Sequence, residues 1–129
     1  MNPRFLLPIA LGGVAGAAAR WWVHSLWPDS SEWWATLIVN VAGSAVLGWL
    51  VAIELHGRRA AAAIVGSGFC GSFTTFSAFS LIVARYLESG RPGAGLLYTA
   101  ATLGPAIAAA VLAGWARRRW RGPDRGAAT

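Results

Sequence analysis

Lysine is missing from this chain, acidic residues number only five, and cysteine occurs once, at Cys70. A single cysteine excludes an internal disulfide framework and leaves the redox compartment open. Charged residues make up 12% of the 129 positions, while 56% are hydrophobic and eight are tryptophan. A soluble domain of this size would struggle to keep that balance off its surface, so the chain reads as a membrane protein. Its basic excess consists of eleven arginines, five of them between residues 117 and 125, beyond the last apolar run. A juxtamembrane tail facing anionic headgroups accounts for them and makes a nucleic-acid partner unnecessary. No aspartate or glutamate lies in the interior of the apolar runs, which removes the embedded carboxylate that a proton-coupled carrier needs.

What the chain does have is four apolar runs of spanning length, since about 20 residues at about 1.5 Å each match a hydrocarbon core of about 30 Å. They cover about residues 5–27, 33–55, 60–87 and 94–116, followed by a basic tail at 117–129. The expected architecture is one all-α integral membrane domain with no linker and no repeat. The first run lacks a convincing cleavage site and is expected to remain as a span. It carries Gly12 and Gly16 at G-x-x-x-G spacing, extended by Ala15 and Ala19, a stripe that lets another helix approach closely. Arg20 lies one or two turns inside the far interface, where it either snorkels or lines an aqueous vestibule that draws anions. Ser30 or Ser31 is the expected N-cap of the second span. That span has one strongly polar residue at its centre, Asn40, on a helical face shared with Thr36 and with Gly43 or Ser44. An asparagine there serves either as interhelical glue or as an amide donor to an anion. Glu54 and His56 fall at the membrane end, where a solvated role is the default. The fourth span has Tyr98 and Thr102 one turn apart, with Pro105 just beyond.

The third span is the unusual one. Residues 66–80 place three glycines and a cluster of hydroxyls in the middle of an otherwise apolar segment. Glycine costs about 1 kcal/mol against alanine in a helix interior, and Ser and Thr compete for the backbone, so the helix is expected to break near residues 71–75. Broken backbone within a bilayer is tolerated only where protein or a watery cavity satisfies it. A helix restarting near Thr75 puts Phe76 and Phe79 at i, i+3 on one face. They are either core packing or a wall of positive ring edges suited to a small anion. The restart aims free N–H groups at the break, whereas carbonyls released around Gly71 and Thr74 suit a cation. Read literally, residues 66–71 are also a G-x-G-x-x-G, with Glu88 at about the distance of a ribose-binding acid. A dinucleotide site requires a preceding strand and a parallel sheet, and four spanning runs leave no room for them.

The run Gly68-Phe69-Cys70-Gly71-Ser72-Phe73-Thr74-Thr75-Phe76-Ser77-Ala78-Phe79-Ser80 closely resembles the signature of the Fluc (CrcB) fluoride channels. Residues 12–20 of the first span and 40–44 of the second do so as well, in the same order. The resemblance implies a passive fluoride-selective channel, not an enzyme, that exports fluoride across the bacterial inner membrane and protects against its toxicity. It implies an antiparallel, dual-topology homodimer with two pores and a structural sodium ion at the interface. By the same resemblance Phe76, Phe79 and Asn40 are pore residues, Thr75 and Ser77 supply hydroxyls near the break, and Tyr98 and Thr102 begin a polar track. Arg20 would stand in the vestibule, and the Gly71 and Thr74 carbonyls would hold the sodium. The chain departs from the pattern at Ala106 and Ala110, where relatives often continue the hydroxyl series, and at Ile82, where many carry glutamate. A small four-span proton-coupled antiporter of the multidrug type is the alternative.

With both termini on one side, that side carries eight arginines and the other three, Arg20, Arg85 and Arg91; without the tail the count is three against three. With the tail counted, the positive-inside rule favours cytoplasmic termini; the expectation is that the tail is a weak determinant and a second copy inserts the other way, and the competing partner is a paralogue of opposite bias.

Overall fold

The computed structural model describes residues 5–28, 31–52, 61 and 63–120. Within them the secondary structure is helical, in the order α1 (Leu6–Ser25), α2 (Glu32–Ala52), α3 (Ala63–Cys70), α4 (Gly71–Phe73), α5 (Phe76–Glu88) and α6 (Pro92–Trp120). Four segments are long and apolar enough to cross a bilayer: Leu6–Ser25, Glu32–Ala52, Ile64–Glu88 and Pro92–Trp120. The third contains the break, so α3, α4 and α5 together make one crossing. Ser30, Glu54, His56 and the arginines at 4, 58, 59, 121 and 125 lie outside the described residues.

The expected interruption occurs at Thr74 and Thr75, after the wide π-helical winding of α3 and the single turn of α4. The π-winding is not signalled in the sequence. α6 is longer than the expected span. Its 29 residues reach about 43 Å at about 1.5 Å each, so the helix outruns the hydrocarbon and carries Arg117, Arg118 and Arg119 on its last turn. Proline suits its first position, where no helical N–H is required.

The helices approach through glycine. A Cβ built on Gly12 would stand 2.7 Å from the Ile64 carbonyl oxygen, and one on Gly68 would stand 2.6 Å from that of Ile9. A Cβ on Gly16 would collide with the Phe69 carbonyl, which makes the small-residue stripe of α1 the bed on which α3 lies. On the other side α2 packs along α6, where Gly48 leaves no room for a side chain beside the backbone of Ala110. Aromatic and β-branched residues fill the space between α5 and α6, with Phe79, Ile82 and Tyr98 buried as one cluster. The pattern of small residues in α1 and bulky ones in α5 thus places the break between α1 and α2.

Candidate functional site

Extended backbone at Thr74 (φ −75°, ψ 158°) and Thr75 (φ −144°, ψ 116°) separates α4 from α5. The groups released there find partners in an ordered way. The Thr74 N–H and Oγ1 both donate to the Cys70 carbonyl, at 3.0 and 2.9 Å, closing the end of the first half. Thr75 then caps the second half, its Oγ1 accepting from the Ala78 N–H at 3.2 Å. The same hydroxyl lies 3.2 Å from Ser77 Oγ.

Two long-range contacts complete the brace. The Asn40 side chain pairs with the backbone of Thr75 twice: Oδ1 accepts the Thr75 N–H at 2.8 Å, and Nδ2 donates to the Thr75 carbonyl at 3.1 Å. Asn40 therefore acts as glue for the break, and one hydrogen of its amide is left over for another acceptor. Arg20 is half-buried, and its Nη1 donates to the Thr74 carbonyl at 3.3 Å, so its charge meets the break and is not simply carried to the interface. Close packing supports both contacts, because a Cβ on Gly43 would strike Thr74 Cγ2.

Beside the brace lies a cavity of about 300 Å³ whose wall includes Asn40, Gly71, Thr75, Phe76, Phe79 and Thr102. The two phenylalanine rings stand 5.7 Å apart between centroids and are tilted by 39°. They differ in environment, since Phe79 is 8% exposed and Phe76 is 77% exposed. Tyr98 stacks on Phe79 at 5.8 Å. Ala106 also lines this cavity one turn beyond Thr102, so the wall becomes apolar there.

Thr36, Tyr98 and Thr102 are all buried, and among the described residues no geometrically sound hydrogen bond reaches their hydroxyls. An unpaired buried polar group costs about 1–3 kcal/mol, so three on neighbouring faces of α2 and α6 call for a reason beyond packing. Tyr98 and Thr102 stand out in the sequence as polar residues one turn apart in their span. Thr36 does not, and its i, i+4 spacing from Asn40 is the one available signal. Of the sequence-derived candidates, Asn40, Gly71, Thr74, Thr75, Phe76, Phe79 and Thr102 meet at this cavity, Ser77 and Arg20 touch its threonines, and Tyr98 adjoins it through Phe79.

Among the described residues no group of three or more His, Cys, Asp or Glu stands together as a metal cluster. A cation here would meet neutral oxygens, from backbone, hydroxyl and amide groups. The Thr74 carbonyl, pulled out of the helical ladder, has the right hard-oxygen chemistry, and one of its lone pairs is engaged by Arg20.

The chain resembles known proteins along nearly its whole length. The family described as CrcB-like protein, Camphor Resistance (CrcB), matches residues 7–115. A fluoride-specific ion channel FluC 2 of Nocardia farcinica is 37% identical over 125 residues, covering 93% of this chain and 89% of the relative. The fluoride-specific ion channel FluC 1 of Streptomyces coelicolor is 39% identical over 121 residues, covering 88% and 79%. A fluoride-specific ion channel FluC of Bordetella petrii is 39% identical over 117 residues, covering 85% and 88%. With its four spans, this is a multi-pass protein of a bacterial membrane, and the extent of the match, over the same residues that build the braced break and its cavity, makes the chain a member of the CrcB family.

Proposed function

We propose that this protein is a passive, fluoride-selective channel that releases fluoride from the cytoplasm across the inner membrane. The observation that carries the proposal is the pair of buried hydroxyls of Tyr98 and Thr102, without hydrogen bonds among the described residues, beside the Phe76–Phe79 rings. Fluoride is small and strongly hydrated, and a pore must replace its water with good donors. Hydroxyl hydrogens, the spare amide hydrogen of Asn40 and positive ring edges do this without a fixed charge that would trap the ion. Nothing in this scheme makes or breaks a covalent bond, so no enzyme activity is involved.

The antiporter alternative is set aside. The curated relatives are fluoride channels, and among the described residues of the spans carboxylates stand only at the ends, Glu32 opening α2 and Glu88 closing α5.

The proposal extends to assembly. A ring as exposed as Phe76, beside a cavity at mid-membrane, is suited to being covered by a second copy related by a twofold axis in the membrane plane. In such an antiparallel pair, the Gly71 and Thr74 carbonyls of both copies would be the oxygen ligands of a structural sodium ion. Arg20 would then have to leave the lone pairs facing the ion. A paralogue of opposite arginine bias is the competing partner. Labelling a cysteine introduced in the tail of intact cells expressing this chain alone decides between them, since access from both sides means dual insertion and access from one side means a paralogue.

The channel itself is tested by fluoride efflux from liposomes containing the purified protein, read with a fluoride electrode and compared with chloride. Rapid fluoride release with little chloride release is expected. Equal release of the two, or none of fluoride, would overturn the proposal.

A further inference from the structure

A second cavity, of about 240 Å³, lies where α2 begins and α5 ends, with Glu32, Trp33, Ile82, Arg85, Tyr86 and Arg91 in its wall. Its polar side carries two guanidinium groups and one carboxylate. Arg85 Nη1 lies 3.2 Å from Glu32 Oε2 and ties α5 to α2. The Arg91 guanidinium sits over the Tyr86 ring, 5.6 Å from its centroid, and its backbone N–H donates to the Tyr86 carbonyl at 2.9 Å. Two arginines against one glutamate leave one positive charge in excess, in a recess at the membrane face.

The floor of this recess is apolar. Ile82 is 7% exposed and belongs to the buried cluster with Phe79 and Tyr98, against which Trp33, Val83 and Tyr86 pack. Phe79 lines the inner cavity beside the break, and Ile82, one turn further along α5, lines the outer one. The buried cluster of Phe79, Ile82 and Tyr98 thus reaches both cavities, and it is apolar apart from the Tyr98 hydroxyl. A hydrophobic constriction of this kind controls ion passage by excluding water, which is most severe for an ion that holds its water as strongly as fluoride does.

We propose that the outer cavity is the loading chamber of the fluoride path, where Arg85 and Arg91 gather the anion, and that Ile82 is the gate residue limiting its entry to the inner cavity. The inference rests on the channel reading above. The Glu32 carboxylate offsets Arg85, so the chamber concentrates anions without holding one tightly. The bulk of residue 82 then sets throughput, while Asn40 and the hydroxyls beyond the cluster set which ion is accepted.

The test is fluoride efflux from liposomes containing the full-length protein with Ile82→Ala, Ile82→Ser or Ile82→Phe, each checked for unaltered elution in detergent. Ile107→Ala, at a side chain 64% exposed on α6, serves as control. The alanine and serine variants are expected to release fluoride about tenfold faster, equivalent to a barrier lower by about 1.4 kcal/mol. Ile82→Phe is expected to slow release by a similar factor, and Ile107→Ala to leave it unchanged. A purely structural isoleucine would give slower release on every substitution or no change, and either result in a conducting wild type overturns the gate while the channel reading stands. Absence of fluoride release from the wild type and all variants overturns both. Arg91→Gln is expected to slow release by about threefold at low ionic strength and much less at high salt, where screening removes the collecting effect; a rate loss independent of salt would overturn the loading role.

Discussion

The two halves of the third span are built from different materials. The first half, α3, meets α1 backbone to backbone, through glycines whose missing Cβ atoms would otherwise occupy carbonyl oxygens of the neighbouring helix. The second half, α5, meets α2 and α6 side chain to side chain, through aromatic rings, Ile82 and buried hydroxyls. In lipid, which gives no hydrophobic drive for helices to associate, close backbone approach is the efficient way to fix a position. The glycine half holds the break where it must be, and the side-chain half is free to carry polar groups that packing alone does not explain. Thr74 and Thr75 join the two, and their backbone groups are handed to Asn40 and Arg20 from two other helices.

This division can be broken at each part. Gly16→Leu should have the largest effect, because its side chain meets the Phe69 backbone and nothing flexible can move aside. Overpacking costs about 1–3 kcal/mol or more, and here the variant should fail to yield a monodisperse species on size-exclusion chromatography. Recovery of normally folded protein would show that α1 and α3 are not held by close backbone approach.

Asn40→Leu comes next. It leaves the Thr75 N–H without its partner, at about 1–3 kcal/mol, and takes the second donor from the Thr75 carbonyl, so it should lower the thermal unfolding temperature in detergent as well as abolish fluoride release. Loss of conduction with unchanged unfolding would mean that Asn40 serves the ion alone and not the break.

Phe79→Ile should separate the two kinds of contact. It keeps most of the apolar volume, so the cost in stability should be about 1 kcal/mol, the worth of an aromatic pair, while fluoride release falls by about tenfold or more. Phe76→Ile should do the same to release with less effect on unfolding, as its ring is the exposed member of the pair. Release at the wild-type rate in both variants would reduce the rings to packing.

Thr102→Val is the mildest change and the most diagnostic of the hydroxyl reading. A hydroxyl buried without a partner is a cost to the fold, so an isosteric methyl should leave stability unchanged or raise it by about 1 kcal/mol. Fluoride release should nevertheless decrease. A clear loss of stability would show that Thr102 has a partner in the assembled protein.

Much of the site is legible along the chain. Glycines and hydroxyls inside an apolar run mark the interruption, because helix propensity and the unforgiving solvent of the bilayer are local matters. The i, i+3 spacing of Phe76 and Phe79, and the one-turn spacing of Tyr98 and Thr102, follow from helical geometry alone. The fate of Asn40 does not. Whether its amide faces a pore or grips a backbone depends on which segment lies opposite, and Thr75 is 35 residues away. Arg20 meets Thr74 across 54 residues for the same reason. Ile82 stands out along the chain only as a departure from the family pattern, and it is folding that sets it in the outer wall and in the cluster with Phe79.

Four membrane crossings, a third crossing broken near its middle, and the rings and hydroxyls that share a helical face can all be read along the chain, since each depends only on composition and on residues within a few turns. The bracing of the break by Asn40 and Arg20, the burial of the Thr36 hydroxyl without a hydrogen bond among the described residues, and the cluster of Phe79, Ile82 and Tyr98 that reaches both cavities emerge only on folding. These depend on how far each helix is rotated about its axis and how closely it approaches its neighbours, and that is fixed by glycine contacts between segments distant in the chain.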